Sequence, residues 1–283
     1  MKELPEIKIA LSKLKIIDLN SIDAYESINK IIKEDLVQIA IPSKIFEPGL
    51  RLHRCRNNID DEAFQTIERL SFRQDVKNIK EFGRANEPNQ SIFYCSDVRP
   101  TAISETSKAF RGENYKDIDE ISITTSHWES IKELKLTLII GNKNAQEKNE
   151  LINHFKIDIE DFTKEIFQND SVKVFEILNF ISDEFACNTM GNTNYYKISC
   201  AFAQLAFESS DGIVYPSLQR QFEGLNFAIK PDSVKEKLRF INATHDKFKK
   251  VVEKQYQHFE TKETLRTEGN KLIWGDIVKI ASR

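Results

Sequence analysis

The sequence predicts a mixed α+β protein in three parts, and three local patterns support this prediction. Residues 1–45 have apolar side chains at helical spacing. Residues 46–231 alternate short strand-like runs with amphipathic helices. Residues 232–283 have aromatic and β-branched side chains that partly alternate, which is typical of strands. We therefore expect an N-terminal helical extension, a central domain, and a C-terminal β-rich extension packed on it.

The individual elements follow from the same patterns. In the first part the helical spacing is that of Ile22, Tyr25, Ile28, Ile31 and Ile32, and Pro42 marks its end. Further along the chain, the patterns predict a strand at 134–140, helices at 171–185 and 200–207, a strand at 212–215 stopped by Pro216, and a turn at 268–270.

Composition limits the classes of function. The chain has 283 residues, of which 40% are hydrophobic and 30% charged, so we expect a folded globular protein. The net charge is -3 and the charges are interleaved, which argues against direct binding of nucleic acid. The chain has no run of about 20 apolar residues and no signal-peptide pattern, so we expect no membrane span and a cytoplasmic location.

Four cysteines are spread along the chain, at Cys55, Cys95, Cys187 and Cys200. None has the spacing of a metal-ligand or redox pair, and none lies near clustered histidines. We interpret them as reduced thiols packed as small apolar groups, and we expect no metal site.

The first candidate for chemistry is the strand-like segment RLHRCR at 51–56. Side chains alternate faces along a strand, so Arg54 and Arg56 are expected on the same side. A guanidinium offers a planar fork of donors that suits phosphate or carboxylate. Taken alone, the segment is more simply explained as a solvated basic edge strand.

The second candidate is a loop followed by an apolar run. Gly83, Asn86 and Pro88 mark the loop, and Arg84 within it could contact an anion. The run that follows enters the core and brings Tyr94 close to the loop. A loop salt bridge for Arg84 and plain core packing for Tyr94 are the simpler alternatives.

Two further stretches contain a carboxylate and a hydroxyl. Pro100 suits the first turn of a helix, and Glu105 follows about one turn later. Pro216 ends a short strand and presents Ser217 at the strand end. Each could have only a structural role, as a surface carboxylate or a turn cap. No histidine is close to Ser217 in sequence, so a Ser-His-Asp triad has little support.

Together these stretches resemble the RES domain family, which is named after its Arg, Glu and Ser. The resemblance covers roughly 46–231, and its motifs read here, in order, LeuHisArg (52–54), GlyArgAlaAsn (83–86), IlePheTyr (92–94), AlaIleSerGlu (102–105), AspGlyIleValTyrProSer (211–217) and GlyLeuAsn (224–226). Gln204 lies in the helix before the last strand. Two departures, His53 for the usual Tyr and Ala85 for the usual aromatic, affect the shape of the pocket.

The resemblance implies an ADP-ribosyltransferase-like fold, in which small packed β-sheets with flanking helices enclose a cleft for NAD. It implies an enzyme that degrades NAD, as a glycohydrolase or phosphorylase, with NAD as substrate and without a cofactor. Relatives are toxins of toxin–antitoxin pairs, so an antitoxin or inhibitor protein, an anti-phage defence setting and a homo-oligomer are expected possibilities.

The resemblance also implies roles for particular residues. The catalytic set is Arg54, Glu105 and Ser217: Glu105 would stabilise the positively charged ribose, Arg54 would bind phosphate or orient the ribose, and Ser217 would hydrogen-bond the ribose or phosphate. NAD would further be bound by Arg84 as a second anion contact, Tyr94 beside the nicotinamide, Arg56, Asn86, Tyr215 and Asn226.

Two other functions remain open at the level of sequence. One is a mono-ADP-ribosyltransferase that modifies a protein. The other is a non-catalytic module that binds NAD or a protein. The sequence does not distinguish water, phosphate or a protein as the acceptor, and it assigns no role to the two extensions.

Overall fold

A computed structural model describes residues 2–36, 42–58, 61–111, 119–189, 191–252 and 255–280, and helices and strands occur throughout these described ranges. The α-helices in the described part are α1 (Leu4–Ile16), α2 (Ala24–Ile31), α3 (Ile67–Leu70), α4 (Arg99–Thr106), α5 (Lys143–Lys148), α6 (Glu150–Phe167), α7 (Ser171–Phe185), α8 (Lys197–Phe207) and α9 (Pro231–Lys237). A π-helical turn at Ile32–Leu36 continues α2, and short 3-10 turns occur at Val76–Asn78, Lys108–Arg111, Gln168–Asp170 and Thr193–Tyr196. None of these described helices combines the length and apolar character that a membrane span requires.

The strands form a single hydrogen-bonded path. They are β1 (Ser43–Phe46), β2 (Arg51–Asn57), β3 (Phe93–Ser96), β4 (Glu120–Ser130), β5 (Leu134–Leu138), β6 (Gly212–Pro216), β7 (Leu225–Ile229), β8 (Leu238–Val252), β9 (Gln255–Glu268), β10 (Lys271–Trp274) and β11 (Val278–Lys279). Their order is β1-β5-β6-β7-β3-β2-β4-β8-β9-β10, with β11 paired to β9. Only β5 and β6 are parallel among these described pairs.

The two faces of the central strands bury different cores, because side chains alternate along a strand. In β6, Ile213 and Tyr215 point to a core formed with α1, α2, α7 and α8. Val214, between them, points to a second core formed with α5 and α6. Helix α7 contributes to both cores, through Ile177 on one side and Val174 on the other. The central strands are therefore covered on both faces.

Several predicted elements are present. The predicted helix at 171–185 coincides with α7, and the predicted strand at 134–140 is β5. The predicted buried helix is α8, which begins three residues earlier than expected, at Lys197. The predicted turn follows β9, where Gly269 adopts a φ of 60°.

Other expectations were wrong in detail. Ile22 lies before α2 and is fully exposed, so it does not belong to the helical face. Residues 1–45 are not wholly helical, since β1 begins at Ser43 and pairs with β5. The last part contains α9 as well as strands. Pro216 is the last residue of β6 rather than the residue after it, because it pairs with Leu225 without needing an N–H group.

The C-terminal strands belong to the main sheet. Strand β8 pairs with β4 from Leu238 opposite Ser130 to Lys249 opposite Glu120. Strand β9 then extends the sheet beyond β8. The mixed α+β class is confirmed. The small packed sheets implied by the resemblance are not seen as such, since the described strands join edge to edge into one mostly antiparallel sheet.

Candidate active site

A cavity of about 340 Å³ lies where the sheet opens between β2 and β3. These strands share one residue pair, His53 opposite Ser96, whereas β2 pairs along its whole length with β4, and β3 pairs with β7. Helix α4 packs beside this opening. The cavity is lined by His53, Arg54, Cys55, Arg84, Tyr94, Cys95, Ser96, Ala102, Glu105, Thr106, Tyr196, Tyr215, Gln219 and Asn226.

Glu105 lies in the last turn of α4. The helix begins after the extended residue Val98, with Pro100 in its first turn, as predicted. Ala102 packs with Cys55 of β2, which fixes the helix against the strand. Two residues from distant parts of the chain then donate hydrogen bonds to the same carboxylate oxygen of Glu105. Ser217 Oγ donates to Oε1 at 2.6 Å, and Asn226 Nδ2 donates to Oε1 at 2.7 Å.

Ser217 is fully buried in the loop between β6 and β7. Its N–H donates to the Gly224 carbonyl at 2.8 Å, and its own carbonyl accepts from Phe222 N–H at 2.8 Å. The hydroxyl points at Glu105, and Ser217 is not among the residues that line the cavity. This placement gives Ser217 a direct part in orienting Glu105, while its expected contact with a ribose or phosphate stays a prediction.

The amide of Asn226 is oriented by its own partner. Ser96 Oγ donates to Asn226 Oδ1 at 2.9 Å, so the amide nitrogen is directed towards Glu105. Ser96 and Asn226 lie opposite each other on β3 and β7, and both are buried. One donor to Oε1 is therefore held by the sheet and the other by the loop between β6 and β7, and Oε2 receives no hydrogen bond from any described residue.

Arg54 is held beside the cavity with its hydrogen-bonding capacity incompletely used. Its Nη1 donates to the Leu70 carbonyl at 3.4 Å, and its guanidinium lies 5.8 Å from the centre of the Phe93 ring. Its Nε is buried with no hydrogen-bond partner among the described residues. Burial, followed by the neighbouring charge of Arg56, lowers the pKa of Arg54 to about 10, so it remains a cation at neutral pH. A desolvated guanidinium of this kind favours an anionic ligand.

Arg84 lines the cavity from a loop that is fixed by other side chains. Its guanidinium lies 4.8 Å from the centre of the Tyr196 ring, and Nη1 donates to the Cys187 carbonyl at 3.1 Å. Tyr94 Oη accepts from Ala85 N–H at 3.0 Å and donates to Asn86 Oδ1 at 2.9 Å. The loop therefore presents Arg84 in one defined position.

Asn86 has a structural role in the loop, and its expected contact with NAD stays a prediction. Its Nδ2 donates to the carbonyls of Glu81 and Glu87, and its Oδ1 accepts from Tyr94. It is buried and does not line the cavity. Gly83 is needed for the hydrogen bond between Tyr94 and Asn86, because a Cβ on residue 83 would lie 2.2 Å from Asn86 Oδ1.

Arg56 is also placed away from the cavity. Its guanidinium lies 4.8 Å from the centre of the Phe64 ring, and Nη1 donates to the Arg69 carbonyl. Arg54 and Arg56 both reach carbonyls at the end of α3, in agreement with the prediction that they share one side of β2. The direct contact with NAD expected of Arg56 is not supported by this position.

Tyr94 and Tyr215 form an aromatic side of the cavity. Tyr215 is buried and packs against Phe185, with ring centres 5.2 Å apart. Burial raises the pKa of both phenols well above the usual value. Both hydroxyls therefore stay protonated and can donate hydrogen bonds at any physiological pH.

Sequence reasoning missed several lining residues, among them His53, Tyr196 and Gln219. His53 had a usable signal, since it precedes Arg54 in the LeuHisArg motif, but it was noted there only as a departure that affects the shape of the pocket. Tyr196 and Gln219 lie in a 3-10 turn and a loop, where no periodicity indicates which way a side chain points.

Gln204, noted for its place in the helix before the last strand, also supports the arginine loop. Its Nε2 donates to the Ala85 carbonyl at 3.1 Å and to Gln90 Oε1 at 2.9 Å. It does not line the cavity. Gln204 therefore contributes to the site by holding the loop that positions Arg84.

Comparison with known proteins identifies no family for this chain. No family model matches it. A stretch of 147 residues, 52% of this chain, is 23% identical to the ATP-dependent RNA helicase glh-1 of Caenorhabditis elegans. The chain spans 18% of the length of that helicase. This sequence has no G-x-x-x-x-G-K-[ST] pattern for nucleotide phosphates, so the similarity gives no reason to assign a helicase activity.

The charges around the cavity define what it can bind. One carboxylate, Glu105, faces a space also lined by the cations Arg54 and Arg84. Such an arrangement suits a ligand with an anionic part and a part that becomes positively charged during reaction. Within the described residues no three His, Cys, Asp or Glu side chains are grouped as metal ligands.

Proposed function

We propose that this protein cleaves the nicotinamide–ribose bond of NAD, as an NAD glycohydrolase or phosphorylase with an ADP-ribosyltransferase-like site. The observation that supports this most is the geometry of Glu105. Its carboxylate is fixed by Ser217 and Asn226 in a cavity lined by two arginines. These five residues, Glu105, Ser217, Asn226, Arg54 and Arg84, are all ones that the resemblance to RES domains assigns to NAD.

Glu105 is suited to the central step. Breaking the bond transfers its electron pair to the nicotinamide nitrogen and leaves positive charge on the ribose. A fixed carboxylate stabilises that charge more in the transition state than in the substrate. Because Ser217 and Asn226 both bind Oε1, Oε2 is the oxygen that faces the ribose in this proposal.

In this proposal Arg54 and Arg84 bind the diphosphate of NAD. Arg54 has a buried Nε that no described residue bonds to, and Arg84 is stacked on Tyr196 and donates one hydrogen bond to the Cys187 carbonyl. Forked donors of this kind match phosphate oxygens. Tyr94 and Tyr215 then border the flat nicotinamide ring.

The resemblance extends the proposal to biology. A protein that consumes NAD would act as a toxin with a cognate antitoxin or inhibitor, or as an effector of anti-phage defence, and it would meet NAD in the cytoplasm. The four free cysteines are compatible with such a reducing compartment.

The test is release of nicotinamide from NAD by the purified protein, measured with water alone and with added phosphate. We expect turnover by the wild type and a loss of at least about 100-fold in Glu105→Gln. Glu236→Gln is the matched control, since that carboxylate is exposed on α9 and pairs with Lys132.

Two results would contradict the proposal. One is equal, negligible release by wild type and Glu105→Gln in water, in phosphate and with candidate protein acceptors. The other is stoichiometric binding of NAD without any turnover, which would identify a non-catalytic module. Transfer of label from NAD to a protein would instead identify a mono-ADP-ribosyltransferase.

A further inference from the structure

Two histidines form a direct pair at the cavity. His53 on β2 lies opposite His127 on β4, and their Nδ1 atoms are 2.7 Å apart. The rings meet edge to face, with centres 4.9 Å apart. A hydrogen bond between two such nitrogens requires that one carries a proton and the other offers a lone pair. The two imidazoles therefore have complementary tautomers.

Only one member of the pair reaches the cavity. His53 lines it together with Glu105, whereas His127 is not a lining residue. Nδ1 of His53 is occupied by His127, so Nε2 is the nitrogen available to a ligand, and no described residue bonds to it. If His53 carries the proton on Nδ1, its Nε2 has a free lone pair and is a base.

The surroundings keep both rings neutral. Burial lowers the pKa of His53, and the charges of Arg99 and Arg51 lower it further. Burial and then His53 lower the pKa of His127 to about 4. The charged groups that act on the pair are Arg51, Arg99 and Asp246. The other titratable groups that line the cavity with His53 are Arg54, Cys55, Arg84, Tyr94, Cys95, Glu105, Tyr196 and Tyr215. Most of the nearby formal charge is positive, which opposes protonation of either ring.

We propose that His53 accepts, through Nε2, the proton of the water that attacks the ribose of NAD. This inference rests on the proposed function and deepens it, since it names the acceptor. His127 is a positioning residue: its Nδ1 accepts the Nδ1–H of His53 and holds the ring in the basic tautomer.

The step is balanced. The C1′–N bond breaks and its electron pair passes to the nicotinamide nitrogen, which loses its positive charge. The water oxygen forms the new bond to C1′, and its proton moves to His53 Nε2. Products are nicotinamide, ADP-ribose and a protonated His53, which returns its proton to solvent.

The choice of acceptor follows from the chemistry of the base. Water must lose a proton as it attacks, so a base lowers the barrier. A nucleophile without a proton, such as azide, needs no base. A histidine base in the cavity therefore favours hydrolysis over transfer to an anion.

The experiment compares the two nucleophiles in His53→Gln. With water alone, we expect nicotinamide release to fall by about 100-fold. Added azide is expected to restore release in His53→Gln, with formation of ADP-ribosyl azide, whereas the same concentration of chloride does not. Glu105→Gln is expected to lose release with both nucleophiles, because Glu105 stabilises the ribose charge in either case. His154→Gln on the exposed surface of α6 is the control.

The role of His127 has its own readout. In wild type, hydrolysis is expected to fall as the pH drops through the pKa of His53, which lies below its usual value of 6.5. In His127→Phe the nitrogen shifts of His53 in NMR should report loss of the Nδ1–H tautomer, and the pH profile should move. If His127 had only a structural role, His127→Phe would change neither the tautomer of His53 nor the pH profile.

The outcomes separate the two proposals. If wild type releases no nicotinamide, the proposed function fails. If wild type hydrolyses NAD and His53→Gln, folded and binding NAD normally, hydrolyses it at the same rate, the inference about His53 is overturned. A loss of azide reaction equal to the loss of hydrolysis in His53→Gln would also overturn it, since the defect would then not concern the proton.

Discussion

Ser217 Oγ lies 2.6 Å from Glu105 Oε1, so a fully buried hydroxyl fixes a carboxylate that lines the cavity. The bond joins the loop after β6 to the last turn of α4. Through this bond Ser217 supports Glu105 in its position at the cavity.

Ser217→Ala is therefore expected to reduce turnover of NAD without a matching loss of binding. A hydrogen bond to a charged group is worth about 1.5–3 kcal/mol, which corresponds to a decrease of about 10- to 150-fold in rate. The affinity for NAD, measured by calorimetry, should change by less than about 3-fold, a limit below 1 kcal/mol.

Ser210→Ala is the matched control for Ser217→Ala. Ser210 is also buried, and its Oγ donates to the Ala206 carbonyl at 2.8 Å. The substitution Ser210→Ala thus removes a buried hydroxyl, as Ser217→Ala does, but at a position away from the cavity. Equal loss of activity in the two variants would show that general destabilisation, not the orientation of Glu105, explains the effect.

Gly224→Ala is expected to displace α4. A Cβ on Gly224 would lie 2.1 Å from Thr101 Oγ1 and 3.0 Å from Thr101 Cβ. Thr101 is buried in the first turn of the helix, so it cannot simply rotate away. We expect a loss of about 1–3 kcal/mol in the free energy of unfolding, measured with urea, together with loss of activity.

The pair Gly224→Ala and Thr101→Ala forms a double-mutant cycle. Thr101→Ala removes Oγ1, the atom that would lie closest to the new Cβ of residue 224, together with the methyl group. It should therefore recover part of the stability that Gly224→Ala loses. Strictly additive effects of the two substitutions would mean that the clash is relieved elsewhere.

Asp246→Asn is expected to destabilise the protein strongly. The Asp246 carboxylate is 1% exposed and binds Arg99 in an ion pair. It also accepts from Thr244, Thr261 and His258. Asn in this position removes the counter-ion of Arg99, whose side chain is 32% exposed, and weakens the hydrogen bonds to a buried acceptor. Hydrogen bonds to charged groups are worth about 1.5–3 kcal/mol, and we expect a cost of this size.

Glu129→Gln is the control for Asp246→Asn. Glu129 pairs with Arg239, which is 61% exposed, so the same exchange should cost at most about 1 kcal/mol. Urea unfolding of both variants measures the difference. Similar costs for the two variants would contradict the view that the Arg99–Asp246 pair anchors α4.

Glu184, near the end of α7, is expected to make stability depend on pH. Burial raises its pKa in the folded protein to about 7, although Lys15 opposes this. Its pKa in the unfolded chain is about 4.3. Below that pH the carboxyl is protonated in both states and its burial does not lower the free energy of unfolding. As the pH rises from about 4.3 to about 7, the unfolded chain loses this proton first, so the free energy of unfolding falls. Glu184→Gln should therefore raise the free energy of unfolding at pH 8 relative to wild type, with a smaller gain at pH 5.

The same substitution on an exposed position of α7 provides the comparison. Glu176 pairs with Lys8 and is 41% exposed, so Glu176→Gln should not change the difference between pH 5 and pH 8. If Glu184→Gln leaves that difference as in wild type, the buried carboxyl is not its source.

The sequence was most informative where one local pattern decides the structure. The apolar spacing in 171–185 predicted α7 correctly, and Pro100 predicted the start of the helix that presents Glu105. The partners of Glu105 are 112 and 121 residues away, so no local pattern connects them. Only the resemblance to a family brought Ser217 and Asn226 to the same site as Glu105.

Roles were less predictable than positions. Asn86 and Arg56 belong to polar motifs, yet nearby backbone carbonyls use their donors. The pairing of His53 with His127 depends on the register of β2 and β4, which a sequence alone does not define. The place of β8 in the main sheet was missed for the same reason.

The ion pair between Arg99 and Asp246 has a consequence for the timing of biosynthesis. A ribosome produces the chain from its N-terminus, so Glu105 emerges long before Asn226 and Asp246. Until β8 has left the exit tunnel, α4 lacks its anchor on that strand, and the carboxylate lacks its partners from β6 and β7. We therefore expect a nascent chain to be inert until β8 has been synthesised, so that whatever chemistry the cavity performs begins only after Val252 has been added.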